Sequence, residues 1–336
     1  MAHEPAPDDI VQLANARAAA RRIRDWSSAD QLLRQIEAAG WKVIDVGTLY
    51  DLVRAAPPDI RDGATTRFGS SLGVPSRLDE PATGVASVVL LATDWAQDLA
   101  RTLAALAATA PAGTEVIVVE NAASEEQAAS LGALEAAGPP ADGMTLEVVR
   151  TSVRLGFASA LNAGIRRASS PVVMHLDTSV EPRGDLVSAV VAALQDPTVA
   201  VAGPFGIVSD DLRRFRDAPE GQVDVDAIEG YAIAFRRSDY AARGPLDEHF
   251  SFYRNLDIWW SLVLRDQGED EPDDAAPRQA VRVAGIPLLR HDHRGWTSLP
   301  DGERDRLSKK NYYRVLKRFA SRRDLLVGGA GERQGT

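Results

Sequence analysis

The chain has no cysteine among its 336 residues. Disulfides, thiolate metal sites and cysteine nucleophiles are excluded, and the composition suits a reducing compartment. No apolar run approaches the roughly 18 residues that a bilayer-spanning helix needs. Met1-Ala2-His3-Glu4-Pro5 has neither a basic start nor an apolar core, so no signal peptide is expected. Positive charge is in deficit: 38 Lys and Arg stand against 48 Asp and Glu, a net charge of -10. Such a field disfavours DNA and other nonspecific nucleic-acid binding. The expectation is a cytoplasmic protein, at most peripheral to the inner face of the membrane. What is present is ordinary for a globular chain, 45% hydrophobic and 26% charged. The length suits a large core with an appendage.

Three regions separate. In residues 1–56, Ile10, Leu13, Ala14, Ala20 and Ile23 recur at helical spacing. Ser27-Ser28 can cap a second helix that ends at Gly40, and Trp41, Val43 and Val46 alternate as a short extended tail. Residues 57–84 carry turn residues without periodicity and read as a linker. From about residue 85, runs such as Val88-Val89-Leu90-Leu91 and Val116-Ile117-Val118-Val119 alternate with helical stretches. That pattern predicts an α/β domain over 85–300, its sheet mostly parallel and covered by helices on both faces. Past Ile228 the order of elements changes, and antiparallel members are expected. Residues 268–277 read as a solvated acidic insertion, and residues 325–336 as a frayed tail.

Four constellations can carry chemistry. Leu155-Gly156-Phe157 opens a helix through Asn162 and Gly164, which feeds the strand Val172-Val173-Met174-His175-Leu176 and then Asp177. The carboxyl end of a strand in an open α/β sheet is where ligands bind. Gly156 allows close backbone approach, and Asn162 can reach a diphosphate or sugar. Buried alone, Asp177 would cost several kcal/mol, so it needs a cation, a donor or water; capping the next helix is the plainer alternative. Glu120-Asn121, also at a strand end, can hydrogen-bond a base or ribose, or merely cap a turn. Asp257 follows the aromatic stretch Phe250 to Tyr253 near a helix start. The dipole there stabilises its ionised form and lowers its basicity, and Asp257 can equally be a helix cap. His291 and His293 fall on one side of an extended segment and can bind metal or diphosphate, and Arg294 can neutralise a leaving group. A structural role is the alternative for this cluster.

The final helix, residues 301–324, carries a basic face and the apolar stripe Tyr312, Val315, Leu316 and Phe319. It can lie on anionic lipid as a peripheral membrane contact, but packing on the domain is the preferred reading.

The order of these motifs resembles the family 2 glycosyltransferases over about residues 86–296. There a Gly-Phe, Ala-x-Asn-x-Gly run precedes a strand ending in Asp-x-Asp. Here the triplet is Asp177-Thr178-Ser179, so the second carboxylate is missing. Glu120 and Asn121 match the first positions of an Asp-Asn-x-Ser strand end that holds the donor nucleoside, and Thr93-Asp94 falls on another position near the base. Asp247-Glu248-His249-Phe250 matches an Asp-Glu-x-Phe run, and the acidic motif after it is contracted to Asn255-Leu256-Asp257. The resemblance implies a GT-A (Rossmann-like) fold, a nucleotide-sugar donor and inversion at the anomeric carbon. It makes Asp257 the base and assigns Thr93, Glu120, Asn121, Gly156, Asn162, Asp177 and Arg294 to the donor. It places a donor-dependent divalent cation, Mn2+ or Mg2+, at Asp177 with His291 or His293. The acceptor stays open between a glycan, a lipid-linked and a small molecule. With one carboxylate lost, a binding or scaffold protein without turnover is the alternative.

Residues 17–45 resemble the short helical C-terminal module of cysteinyl-tRNA synthetases through Arg17, Arg21, Asp25-Trp26, Ala29-Asp30, Gly40 and Asp45, although Leu33 stands where an Arg is usual. A third reading is therefore an RNA-associated protein, against which the module's balanced charge argues.

Overall fold

The computed structural model describes residues 6–46, 49–92, 94–266 and 278–327, in two compact units, Met1–Ser70 and Ser71–Thr336. The acidic segment 268–277 and Thr93 lie outside the described residues.

In the first unit, α1 (Asp8–Arg22) and α2 (Trp26–Ala38) precede the antiparallel hairpin β1 (Trp41–Val46) and β2 (Leu49–Arg54). The α2 cap is Asp25, whose carboxylate accepts the Ser28 N–H at 3.1 Å, so the helix starts ahead of Ser27-Ser28. An aspartate is as good a cap as serine and adds charge to the positive end of the helix. Ile10, Ala14, Ile36, Trp41 and Leu52 form the core. The Arg17 guanidinium forks onto Asp45 at 2.9 and 3.1 Å, and Arg21 joins at 2.8 Å. The segment expected as a linker instead begins with the hairpin β3 (Ile60–Asp62) and β4 (Thr65–Phe68). Its turn residues form the tip: Gly63 has φ of 57°, open to glycine at no steric cost.

The rest of that segment belongs to the second unit. Val74 is fully buried, the Arg77 N–H donates to the Arg166 carbonyl at 2.7 Å, and Arg77 pairs with Glu115 at 3.1 Å. A chain beginning at Ser71 is therefore expected to melt several degrees above one beginning at Pro81, by scanning calorimetry. Equal melting temperatures would make residues 71–80 the expected linker after all.

The second unit alternates β5 (Ala86–Ala92), α3 (Ala96–Thr109), β6 (Thr114–Glu120), α4 (Glu125–Ala137), β7 (Thr145–Thr151), α5 (Phe157–Ile165) and β8 (Val172–Leu176). Then come β9 (Val180–Pro182), α6 (Leu186–Ala193), β10 (Val199–Gly203), β11 (Gly206–Ser209), β12 (Phe215–Asp217), β13 (Asp224–Val225), β14 (Ala227–Ile228) and β15 (Ala232–Arg236). Next are α7 (Arg237–Arg243), α8 (Leu256–Arg265), β16 (Gln279–Arg282), β17 (Leu288–Arg290), α9 (Arg294–Thr297) and α10 (Asp301–Phe319). The unit's main sheet runs β13-β16-β10-β15-β8-β5-β6-β7. β8, β5, β6 and β7 are parallel, and β15 is antiparallel to both β8 and β10. Val88 and Leu90 face Leu99, Leu103 and Leu106 of α3 in one cluster. On the other face α5 presses against β5 and β6 through Gly164, where a Cβ would sit 2.5 Å from Val89 Cγ1. A side chain there would overlap the strand, so only glycine lets the helix settle.

The final helix packs on the domain, as preferred. Val315 and Phe319 are buried, Phe319 meets Trp259 edge-on at 5.4 Å, and the Asn311 amide donates to the Phe252 and Arg254 carbonyls at 2.8 Å. No helix among the described residues is long and apolar enough to cross a membrane.

Candidate active site

The parallel strands β5, β6 and β8 end on one edge of the sheet, and Asp177 lies just past the last of them. Its backbone N–H donates to the Tyr231 carbonyl at 2.8 Å. One carboxylate oxygen accepts the Ser179 N–H at 2.8 Å and the Ser179 hydroxyl. Ser179, at the place of the missing carboxylate, is thus a donor that pins Asp177. His293 reaches the other oxygen at 3.4 Å through Nε2. Burial pushes the Asp177 pKa up, but the bonds from His293 and Ser179 outweigh it and hold it at about 2.

His293 sits between Tyr253, stacked at 4.2 Å, and Tyr231, edge-on at 5.7 Å. Its Nδ1 accepts the Trp296 N–H at 3.2 Å, which places the ring proton on Nε2, aimed at Asp177. In that tautomer His293 is a donor, and a cation at Asp177 would have to displace its proton. His291 does not join the site. Its Nε2 is 2.8 Å from Glu181, because β17 pairs with β9 and turns that side chain outward. Arg294 is also directed elsewhere: it bonds the buried Asp98 at 3.0 Å and lies over the Trp95 ring. No group of three His, Cys, Asp or Glu among the described residues could hold a metal. Asp177 alone therefore fits a cation only with oxygens brought by a ligand.

Asp177 and His293 line a cavity of about 560 Å3 together with Glu229 and Asp257. Asp257 lies in the first turn of α8, after Asn255, whose φ of 66° is left-handed. Its oxygens accept N–H groups from Gly230 and Ile258, both at 2.9 Å. The helix start was expected to lower its basicity. Burial instead pushes its pKa up, against the pull of those N–H groups and Arg254.

Glu229 went unnoticed in the sequence, where only its place before Gly230-Tyr231 marks it. Burial pushes it up to about 7; Arg290, 3.7 Å away, pulls down, while Asp257 and Asp217 add repulsion. The folded value lies above the unfolded 4.5, so the fold loses stability as pH rises through that window. Glu229→Gln should accordingly melt above wild type at pH 8 and with it at pH 4. A gap independent of pH would show that Glu229 is not neutralised by the fold. The arginines Arg213, Arg214, Arg216 and Arg254 also line the cavity, and the run Arg213-Arg214-Phe215-Arg216 was the overlooked signal.

The other expected donor residues hold the neighbouring backbone. Glu120 is 1% exposed and pairs with Arg150 at 3.0 Å, which turns it away from any base. Asn121 accepts the Leu155 N–H at 2.7 Å and donates to the Leu155 carbonyl at 2.9 Å, fixing the turn before α5. Gly156 caps α5 where a Cβ would lie 3.0 Å from Ser251 Cα, so its close approach is to protein. Asn162 is buried with all its capacity used: it donates to Leu246 and Glu248 and accepts from Tyr240 and Leu246. It cannot also bind a sugar. Asp94 accepts the Ser124 N–H at 2.8 Å and pairs with the exposed Arg154 at 2.8 Å, leaving that edge polar and open.

The glycosyl transferase family 2 model matches residues 87–254, half of the chain. Two curated relatives, the pre-mycofactocin glycosyltransferases of Mycobacterium tuberculosis strains CDC 1551 and H37Rv, are each 28% identical over 185 residues. The match takes in 50% of this chain, which spans about a third (35%) of their length. Among solved structures, GalNAc-T7 with UDP, GalNAc and Mn2+ superposes with a TM-score of 0.55 at 15% identity, over 70% of this chain and 48% of that one. That likeness is one of fold, GT-A, with the mixed, mostly parallel sheet described above. The half-chain match, on a sheet of this topology, places the chain in glycosyl transferase family 2.

Proposed function

We propose that the protein transfers a sugar from a nucleotide-diphosphate donor to an acceptor hydroxyl with inversion. The observation that carries this is the convergence of Asp177, Glu229 and Asp257 on one cavity at the carboxyl edge of the sheet. Asp94, just past β5, and Arg154, just past β7, flank the space for the nucleoside. Asp177 is the residue that would hold a divalent cation, which supplies positive charge to the departing diphosphate. The His293 Nε2–H is aimed at the same region. Asp257 takes the proton from the acceptor hydroxyl. The acceptor oxygen forms a bond to the anomeric carbon from the face opposite the diphosphate, and the bond to diphosphate breaks. Burial suits Asp257 to this by raising its basicity.

Glu229 offers a second reading of the base, favoured by its pKa of about 7. An activity profile rising near pH 7 that flattens in Glu229→Gln, with turnover otherwise lost, would transfer the role to it. The overall proposal is tested by incubating the full chain with UDP-, GDP- and TDP-sugars and Mn2+, following sugar release or transfer beside nucleotide-induced thermal shift. Nucleotide binding without hydrolysis or transfer across the panel would favour the scaffold reading.

A further inference from the structure

The exposed mouth of the cavity carries Arg213, Arg214, Arg254 and Asp217. Arg213 and Arg214 stand at the tip between β11 and β12, and neither guanidinium has a hydrogen bond or ion pair among the described residues. The acidic groups around them are spent elsewhere. Asp210 takes Arg216 at 2.9 and 3.2 Å, and Asp211 accepts the Arg213 and Arg214 backbone N–H groups at 2.8 and 3.0 Å. Inside the cavity, Asp177 is held by Ser179 and His293, Glu229 faces Arg290, and Asp257 accepts two N–H groups. Asp217 is the carboxylate left at the mouth, against Arg213, Arg214 and Arg254, in a chain whose net charge is -10.

The tip that presents them is pinned. The Ser209 hydroxyl accepts the Asp211 and Leu212 N–H groups at 3.3 and 3.0 Å. Leu212 is fully buried with φ of 60°, a left-handed conformation that leucine rarely takes. Strain of this kind persists where the surroundings over-determine it, and ligand clamps are one such place. Consecutive residues of α10 tie the tip to the loop of Arg254: the Tyr312 hydroxyl donates to the Arg213 carbonyl at 3.2 Å, and the Asn311 amide to the Arg254 carbonyl at 2.8 Å. Like charges gathered on fixed backbone repel, and an oxyanion between them reverses that cost. They gather on the side of Asp257, three residues after Arg254. Asp94 and Arg154, which flank the nucleoside edge, are not among the residues that line the cavity.

We propose that Arg213 and Arg214, with Arg254 beside them, bind a phosphate group carried by the acceptor, so that the acceptor is a phosphate ester with a free hydroxyl. The inference rests on the transfer reading for the word acceptor, but the oxyanion site itself is defined by binding. Guanidinium forks match phosphate oxygens. A phosphate monoester carries about -1.5 to -2 charges at pH 7, which suits two arginines, where a carboxylate brings one. With its phosphate at the mouth, the acceptor directs its hydroxyl inward to Asp257. A soluble ester and a lipid headgroup offer the same group to these arginines.

The test uses the full chain with UDP and Mn2+ in excess, so that the donor's own phosphate positions are filled. Glycerol 3-phosphate, glycerate and glycerol are three-carbon alcohols that differ in charge, and calorimetry follows their binding. Glycerol 3-phosphate should bind about tenfold or more tighter than glycerol, with glycerate between, and added salt should weaken it because the arginines are exposed. The double variant Arg213→Gln/Arg214→Gln should lose about tenfold or more of the affinity for glycerol 3-phosphate, while glycerol and UDP stay within a few-fold of wild type. Only backbone groups of these two residues are bonded, so the variant should fold, as circular dichroism and melting check. Co-sedimentation with phosphatidylcholine vesicles containing phosphatidic acid separates the sources: arginine-dependent binding there assigns a lipid headgroup, and glycerol 3-phosphate binding without it assigns a soluble ester. Equal binding of the three probes without arginine-dependent vesicle binding overturns the proposal. Displacement of glycerol 3-phosphate by UDP, or a matching loss of UDP affinity in the double variant, also overturns it by giving the arginines to the donor. Sugar transfer is recorded on the same samples. Arginine-dependent phosphate binding without transfer to any acceptor would sink the transfer reading and leave the oxyanion site. Transfer to neutral acceptors only, equal in wild type and double variant, would do the reverse.

Discussion

Asp257→Asn is expected to lower turnover by about a hundredfold or more and to leave nucleotide affinity within a few-fold of wild type. The substitution keeps the shape but removes the group that takes a proton, and its single amide oxygen can accept only one of the two N–H groups, from Gly230 and Ile258 at 2.9 Å, that the carboxylate accepts on its two oxygens. Its side chain lies against Gly230, which is 2.9 Å away through the N–H, so an amide nitrogen turned to that side would face a donor with a donor. The asparagine should therefore orient its oxygen to Gly230, and a small loss of stability is acceptable. Single-turnover rates at saturating donor separate the chemical step from binding. Wild-type rates in Asp257→Asn would remove it from the base role, and a matching loss in Glu229→Gln would give that role to Glu229. Loss in both variants would mean that the two carboxylates act as a coupled pair, as their mutual repulsion suggests.

The sheet was legible because its strands are continuous Val, Ile and Leu runs, a pattern that only a strand buried on both faces sustains. The placement of Asp177 followed from the same logic, since the strand that carries it had to end at the ligand edge. The donor residues were less legible. Asn162 and Asn121 are polar residues on a ligand-facing segment, and sequence alone does not say whether such a side chain faces ligand or backbone. Both hold loops: the Asn162 amide donates to the Leu246 carbonyl and Glu248 and accepts from Tyr240 and the Leu246 N–H, and Asn121 exchanges bonds with the Leu155 backbone. His291 and His293 are two residues apart, which predicts one side of a strand. The turn after β17 breaks that geometry, and only His293 enters the cavity. Glu229 was invisible for a different reason: its chemistry comes from burial and from charges distant in the chain, which no local pattern encodes. Residues 57–70 were misread because hairpin tips and linkers use the same turn residues.

Asp177→Asn is expected to abolish Mn2+-dependent tightening of nucleotide-diphosphate binding and to cut transfer by about two orders of magnitude or more. At neutral pH Asp177, with its pKa of about 2, is fully ionised and is the only carboxylate of the Asp177-Thr178-Ser179 triplet. A hard cation needs charged oxygens, and one carboxylate beside a serine hydroxyl supplies too few. Mn2+ should then bind the free protein weakly and bind tightly only when the diphosphate adds its own oxygens. Calorimetric titration of Mn2+ with and without UDP or GDP measures the difference, and Asp177→Asn should erase it. Because Asp177 is depressed in the folded state, wild type also loses stability as pH falls from about 4 through about 2, and the variant should lack that loss. Equal Mn2+ affinity with and without nucleotide, or full transfer in excess chelator, would end the metal proposal. Charge on the diphosphate would then fall to the groups already aimed at that edge: the Nε2–H of His293 beside Asp177, and Arg254 at the mouth of the cavity. Arg294, fixed on Asp98, would remain outside it.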